Sequence, residues 1–241
     1  MRQTGVAVHA ADGNDRGELR LAGVAGLLVG LCYPIIIALY VMAGPDMPSD
    51  GGGQAWLDYI SGHTTAWWTI IGLSVLTDIL WLPFAWGLYR TLRRSNQTMA
   101  LVGAGLMVLF VVSELTTIWP AYSVLTNLAG AASATDDDIA RAARIAAAEY
   151  GAATLSSPLL PYYAIVLPAV GKVAIGIAML RGEPFPRALG GVAIAIGVVD
   201  AISVVGSGVW DPLGLAVIPA SLLSGVWFLV IGWLFVGVSR A

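Results

Sequence analysis

The chain has 241 residues, of which 58% are hydrophobic and 11% are charged, and its formal net charge is −3. In an ordinary soluble domain about a quarter of the residues are charged. This composition therefore excludes such a domain and indicates an integral membrane protein in a lipid bilayer. The small net charge is spread along the chain and provides no basic face for nucleic acid. The single cysteine, Cys32, excludes an intrachain disulfide and argues against a thiolate metal site.

Residues 1–20 are polar and mixed in charge, which predicts a flexible tail. The tail lacks the pattern of a cleaved signal peptide, so we expect the apolar run that follows to remain in the protein. Six runs are long enough to cross a hydrocarbon core about 30 Å thick. They are residues 21–43, 66–92, 99–119, 157–181, 188–210 and 215–238. The sequence therefore predicts an all-α polytopic membrane protein, with one membrane domain at residues 21–240 folded as a bundle of six transmembrane helices.

Gly26 and Gly30 of the first run have the small-xxx-small spacing that lets the backbones of two membrane helices approach closely. The chain contains 29 glycines, however. Chance is therefore the favoured interpretation of this pair.

Residues 44–65 are rich in proline and glycine, which predicts an exposed loop because irregular backbone cannot be satisfied in lipid. Trp56 and Tyr59 in this loop, with Trp67 and Trp68 just beyond it, have the character of an interfacial aromatic belt. We therefore expect these rings at the membrane surface.

A short helix is predicted between the third and fourth spans. Thr135 is a suitable helix cap, and the three aspartates after it favour the positive end of the helix dipole. The expected apolar stripe of this helix comprises Ile139, Ala143, Ala146 and Tyr150. The pattern predicts an extracytoplasmic amphipathic helix lying on the membrane or over the mouth of the bundle. A solvated connector explains the same pattern equally well.

The positions of the basic residues predict the orientation of the bundle. Arginines at residues 16–20, 90–94, 181–187 and 240 fall on the side of the termini, and only Arg141 and Arg144 oppose them. The positive-inside rule then predicts cytoplasmic N- and C-termini. The excess of arginine over lysine, with abundant alanine, glycine and valine, is typical of a GC-rich bacterial genome and suggests a bacterial cytoplasmic (inner) membrane.

Four ionisable residues, Asp78, Glu114, Lys172 and Asp200, lie inside four different predicted spans, and Lys172 is the only lysine of the chain. At about 1.5 Å per residue they lie roughly 14 to 22 Å from the cytoplasmic ends of their helices, near the middle of the bilayer. Such residues are rare within spans and usually face the bundle interior or a cavity. We predict that all four meet at the midplane as a substrate or proton pathway.

One cation cannot neutralise three carboxylates, so burial and mutual repulsion favour protonation of those that Lys172 does not pair with. This chemistry favours small-solute binding or proton-coupled transport, with Lys172 attracting anions and the acids exchanging protons. The alternative is a non-catalytic accessory or assembly subunit of a membrane complex, in which the charges form a structural network. A homo-oligomer or a membrane partner is compatible with both hypotheses.

The motifs HExxH, GxSxG and the phosphate-binding loop are absent from the sequence. A third hypothesis is a membrane enzyme with a site at the outer aromatic face, around Trp56, His63 and Trp67. A lone histidine at a membrane surface is more often a loop residue than a ligand. The sequence therefore favours a protein that is not an enzyme, and it indicates neither a cofactor nor a metal.

Two segments, GLYRTLRRSNQTMALVG at residues 87–103 and PRALGG at residues 186–191, resemble a bacterial six-helix membrane family catalogued as domain of unknown function 4386. In that family a helix ends in a similar Leu-Tyr-Arg exit, and a Pro-Arg-x-Leu-Gly turn opens a later span. The start of the first span, Leu21-Ala22-Gly23, fits as well. The resemblance implies a six-helix fold and no established activity, and Lys172 is not part of the family pattern.

Overall fold

The computed structural model describes residues 13–43, 48, 52–131, 138–182 and 184–240, and these residues contain helices and no strand. The α-helices are α1 (Gly13–Ala43), α2 (Gly53–Ser61), α3 (Thr64–Ser113), α4 (Trp119–Ala131), α5 (Asp138–Leu155), α6 (Leu167–Leu180), α7 (Arg187–Ser207) and α8 (Val217–Arg240). Two π-helical segments, Glu114–Ile118 and Tyr162–Val166, precede α4 and α6, and a 3₁₀-helix, Asp211–Ala216, precedes α8. The predicted all-α fold is confirmed.

Five helical segments of the described chain are long and apolar enough to cross a membrane: Arg16–Ala43, Thr64–Ala131, Tyr162–Leu180, Arg187–Ser207 and Pro212–Ser239. Large apolar side chains also cover the outside of the bundle, as Val41, Leu101 and Trp233 do with 62%, 56% and 69% of their surface exposed. Water would not favour such a surface, whereas lipid would. The protein is a multi-pass membrane protein.

The helix α3 folds back on itself at Asn96, whose backbone angles of φ −157° and ψ 87° are not helical. The side-chain oxygen of Asn96 accepts a hydrogen bond of 3.2 Å from the backbone N–H of Met99 and so caps the helix that follows. Trp81 and Phe110 lie on the two sides of the break, and their ring centroids are 5.1 Å apart. In a straight helix they would be separated by about 43 Å. We therefore describe α3 as a hairpin with a first arm before Asn96 and a second arm after it.

The long helices form a ring in which sequence neighbours pack together. The first arm of α3 packs on α1, and the second arm packs on α6. The ring continues from α6 to α7 and from α7 to α8, and α8 returns to α1. The start of α1 and the end of α8 lie at one face of the ring, which we call the terminal face. The helices α2 and α5 lie at the opposite end, the far face.

The helices α1 and α8 approach closely where their glycines face each other. A Cβ atom at Gly30 would lie 2.7 Å from the carbonyl oxygen of Gly225, and one at Gly23 would lie 2.8 Å from the carbonyl oxygen of Gly232. A larger residue at either position would force the helices apart. A Cβ atom at Gly26 would likewise meet the Phe84 ring at 2.7 Å. The spacing of Gly26 and Gly30 therefore serves helix packing, and its attribution to chance is wrong.

The first helix extends further towards the N-terminus than the sequence indicated. It begins at Gly13 rather than at Leu21, so the second part of the predicted flexible tail is helical, while residues 1–12 lie outside the described residues. Glu18 accepts a hydrogen bond of 3.1 Å from the indole N–H of Trp86 and forms an ion pair of 3.7 Å with Arg90. These contacts hold the extension against the first arm of α3.

The predicted loop at residues 44–65 contains the helix α2, and two of its expected interfacial rings are interior. Trp56 and Trp67 are 2% and 0% exposed, whereas Trp68 is 43% exposed. The ring of Trp67 stacks on that of Tyr122 with centroids 4.9 Å apart. These aromatic side chains pack against α4, which is distant in the sequence. They therefore contact protein where contact with the lipid interface was expected.

A helix is present between the third and fourth predicted spans, and the face that packs on the protein is not the predicted apolar stripe. Ile139 and Tyr150 of the predicted apolar stripe are each 80% exposed. The buried residues of α5 are Ala148, Gly151, Ala152 and Leu155. These mostly small side chains let α5 lie directly on α2 and α4, which bulkier residues would prevent. The predicted cap at Thr135 lies outside the described residues.

Candidate functional site

The four ionisable residues singled out in the sequence are all buried: Asp78 and Asp200 are 4% exposed, and Glu114 and Lys172 are 5% exposed. They do not form one cluster, however. Lys172 and Asp200 form one group between α6, α7 and α8, and Asp78 and Glu114 form another around a cavity. The structure therefore arranges the four predicted residues as two pairs, the Lys172–Asp200 ion pair and the two acids that line the cavity.

The Lys172 group is fully paired. Its ammonium nitrogen Nζ lies 2.6 Å from Oδ2 of Asp200 and donates a second hydrogen bond of 2.9 Å to Oγ of Ser224. The Lys172 and Asp200 side chains are 7% and 6% exposed. The ammonium thus links three helices, and Lys172 does not line the cavity. A buried charge with its counter-charge in place is satisfied without a ligand.

The other two acids line a cavity of about 550 Å³ bounded by α1, α3, α4 and α8. This volume falls in the range of small-molecule sites, which is about 300 to 1,000 Å³. Most of the wall is apolar. Its polar side chains are those of Asp78, Glu114, Ser74, Thr77 and Ser221, together with the aromatic hydroxyl and indole groups of Tyr33, Tyr40, Tyr122 and Trp119.

The two carboxyl groups of the cavity differ in their partners. Oδ2 of Asp78 accepts a hydrogen bond of 2.6 Å from the indole N–H of Trp119. Glu114 lines the cavity at 5% exposure, and no group of the described residues donates a hydrogen bond to its carboxyl. A buried carboxyl without a donor is costly. The Glu114 carboxyl therefore needs a proton, a water molecule or a ligand as its partner on the cavity side.

A π-helical segment places both Glu114 and Trp119 at the cavity. In this segment the backbone N–H of Trp119 donates to the carbonyl of Glu114, five residues earlier. The segment ends just before Pro120, which has no N–H and interrupts the regular hydrogen-bond pattern of the helix. The second π-helical segment precedes Pro168 in the same way and contributes Ile165 to the cavity wall. Such segments often mark functional sites.

The tyrosines of the cavity were missed by sequence analysis. Tyr33 and Tyr40 are seven residues apart, which is close to two turns of α1, so they share one helix face. Two tyrosines on one face of an otherwise apolar helix could have been used to predict a polar site at that face. Tyr122 carried no comparable signal, because it follows Pro120 beyond the predicted end of the third span.

The cavity opens sideways between α1 and α8, towards the far face. Val41, Leu215 and Ile218 line it, and they are also 62%, 68% and 46% exposed on the outside of the bundle. Below Tyr33 the glycine contacts of α1 and α8 close the gap towards the terminal face. These three apolar residues lie near the far-face ends of α1 and α8, so the cavity reaches the outer surface of the bundle there through an apolar rim.

The aromatic cluster that suggested an enzyme site has a different arrangement. His63 is exposed at the start of α3, while Trp56 and Trp67 are buried beneath it. In the part of the chain that the structure describes, no three histidine, cysteine, aspartate or glutamate side chains are grouped so that they could hold a metal ion.

Comparison with known proteins identifies a family and no function. No curated protein and no solved structure matches the chain. A family described as "Domain of unknown function (DUF4386)" matches residues 21–237, which is most of the chain. The resemblance of residues 87–103 and 186–191 to this family is therefore confirmed. The chain belongs to the family of the domain of unknown function 4386.

Proposed function

We propose that the protein binds a small solute in the cavity lined by Asp78 and Glu114, and that binding is coupled to proton exchange at these carboxyls. The observation that carries the proposal is Glu114, a carboxyl group on a 550 Å³ cavity with 5% exposure and no hydrogen-bond donor among the described residues. Ionisable groups at membrane depth are costly and typically mark ion or substrate pathways.

We also propose that the membrane domain crosses the bilayer six times. The apolar segment Thr64–Ala131 has 68 residues, about 100 Å if it were straight, but it reverses at Asn96. Each of its two parts exceeds the hydrocarbon thickness of about 30 Å. We therefore count two crossings in this segment and one each in α1, α6, α7 and α8.

The orientation we propose places both termini in the cytoplasm of a bacterium, at its inner membrane. The arginines near residues 90–94 and 181–187 lie towards the terminal face, where the positive-inside rule expects them. In this orientation the mouth of the cavity opens into the outer leaflet.

The groups around Glu114 support the coupling to protons. Asp78 faces the cavity from the first arm of α3, Tyr33 and Tyr40 face it from α1, and Tyr122 faces it from α4. No basic side chain lines the cavity among the described residues, and Lys172 is held by Asp200. Two acids that share a cavity disfavour each other's charge. A proton and a solute therefore compete for the same carboxyls.

Lys172 has a structural role in this proposal. Its paired and nearly dry environment favours the structural-network hypothesis for Lys172 and Asp200, and for these two residues alone. It joins α6, α7 and α8, which form the side of the ring opposite the first arm of α3.

The first test asks whether the cavity is open. Cys32 is replaced by serine, and a cysteine is placed at Ser221, which lines the cavity, or at Ser203, which is 1% exposed and does not line it. In liposomes we expect N-ethylmaleimide to label Ser221→Cys much faster than Ser203→Cys. Equal and slow labelling of both would contradict an accessible cavity.

The second test asks whether Glu114 matters for binding. Purified wild type, Glu114→Gln and Asp58→Asn are screened for a rise in melting temperature with anionic, neutral and cationic solutes. Asp58 is an exposed acid of α2 whose substitution removes the same charge outside the cavity. We expect a shift in wild type and Asp58→Asn that is lost in Glu114→Gln, with proton release on binding. Identical responses of all three proteins would refute the proposal.

A further inference from the structure

We propose that the ligand of this cavity is a lipophilic organic cation that enters sideways from the lipid. The inference rests on the proposed function, because it names the substrate class of the same site. It follows from three properties of the cavity: its charge, its aromatic surface and the position of its mouth.

The charge of the cavity favours a cation. Asp78 and Glu114 are its two ionisable carboxyl groups, and no arginine, lysine or histidine lines it within the described residues. Lys172 is the residue that the sequence suggested for binding an anion. It does not line the cavity, and it is hydrogen-bonded to Asp200 and Ser224. An anion would meet two acids and no counter-charge, whereas a cation would supply the partner that Glu114 lacks.

The aromatic rings around the acids provide faces on which an organic cation can rest. Tyr33, Tyr40, Trp119 and Tyr122 all line the cavity. Trp119 and Tyr122 are stacked with centroids 5.8 Å apart, and Tyr122 is stacked in turn on Trp67. Because these stacks occupy the faces of Tyr122, its role is to hold Trp119 in place, and the rings that a cation would meet are Tyr33, Tyr40 and Trp119. Cation–π attraction is strongest where the ring and the cation are removed from water.

The walls exclude a bare metal ion and favour an apolar body. Alkali and alkaline-earth ions require a close cage of several oxygen ligands. This cavity is instead about 550 Å³ in volume and is walled largely by side chains such as Ile36, Ile37, Ile165 and Val217. A cation that carries hydrophobic groups fits both the acids and these walls.

The mouth of the cavity selects for a ligand that dissolves in lipid. Val41, Leu215 and Ile218 form its rim and are exposed on the outer surface of the bundle. A hydrophilic cation would have to leave water and cross apolar lipid to reach this rim. A lipophilic cation already concentrates in the membrane, close to the rim.

The experiment compares two ions of the same shape and opposite charge. Binding of tritiated tetraphenylphosphonium to the purified full-length protein is measured by equilibrium dialysis, and binding of tetraphenylborate is measured in a separate dialysis because the two ions precipitate together. Wild type and Asp58→Asn should bind the cation equally, and Glu114→Gln should bind it at least about tenfold more weakly. Tetraphenylborate should not bind detectably. In a separate time course of tetraphenylphosphonium binding followed by rapid filtration, Ile218→Trp, which leaves the acids intact, should approach equilibrium more slowly than wild type because it narrows the mouth.

Tetraphenylphosphonium binding that Glu114→Gln leaves unchanged, or preferential binding of tetraphenylborate, would overturn the cation inference. Failure of this inference is distinguishable from failure of the proposed function. If neither ion binds but an anionic or neutral solute shifts the melting temperature through Glu114, only the substrate class is wrong. If neither ion binds, no solute shifts the melting temperature and Ser221→Cys is unreactive, both proposals fail.

Discussion

Replacing Lys172 by methionine should destabilise the protein by about 3–5 kcal/mol, because it leaves the Asp200 carboxylate buried without its partner. The magnitude needs no reduction for solvent screening, since the two side chains are 7% and 6% exposed and 2.6 Å apart. Adding Asp200→Asn removes the orphaned charge. The double variant should therefore recover most of the lost stability, to within about 1–2 kcal/mol of wild type.

The assay is unfolding by sodium dodecyl sulfate in mixed micelles, followed by circular dichroism, for wild type, both single variants and the double variant. A double variant no more stable than Lys172→Met would refute the reasoning, since the cost would then not arise from an unpaired carboxylate. Function provides a second check on the same proteins. If the double variant is stable and binds tetraphenylphosphonium like wild type, Lys172 has a structural role. If it is stable but no longer binds the cation, Lys172 belongs to the binding site.

Three further predictions use the same unfolding assay. Gly30→Ala should cost about 1–3 kcal/mol because its Cβ would press on α8, whereas Gly105→Ala, with nothing within 4 Å, should be neutral or slightly stabilising. Equal effects at both glycines would argue against close packing of α1 and α8. Asn96→Ala should cost about 1 kcal/mol through loss of the helix cap, and an unchanged midpoint would contradict that role. Trp119→Phe should cost about 1–3 kcal/mol by removing the donor to Asp78, and it should weaken cation binding as well. If Trp119→Phe binds the cation as well as wild type does, the hydrogen bond to Asp78 does not contribute to binding.

The helical fold and the membrane class could be predicted because they depend on composition and on the length of apolar runs. The same reasoning missed α2, since the proline and glycine content of residues 44–65 outweighed a nine-residue helix whose stability comes from packing. It also did not identify the face of α5 that packs on the protein. In an alanine-rich helix the hydrophobic pattern is weak, and the fit of small residues against α2 and α4 decides which side is buried.

Sequence positions predict the levels of the four ionisable residues along their helices but not the directions in which their side chains point. Counting residues from the end of a span gives the level of a side chain in the membrane. At about 100° of rotation per residue, the count does not give the direction in which the side chain points until neighbouring helices are placed. Asp78 and Asp200 are thus predicted at a similar level, but Asp78 lines the cavity and Asp200 pairs with Lys172. The pairing of Lys172 with Asp200 is consistent with the short turn between α6 and α7, whereas Ser224 came from a helix that no sequence pattern connects to them.

The π-helical segment Glu114–Ile118 makes the site sensitive to chain length. One residue fewer in this segment would restore an ordinary α-helix, and the span would still cross the bilayer. Every side chain after the deletion would turn by about 100° around the helix axis, which would carry the indole of Trp119 away from Asp78. A single-residue gap at this point in an aligned relative would therefore identify a protein that keeps the architecture and has lost the contact between Trp119 and Asp78. Counting residues between Asn96 and Pro120 could thus sort such relatives before any of them is purified.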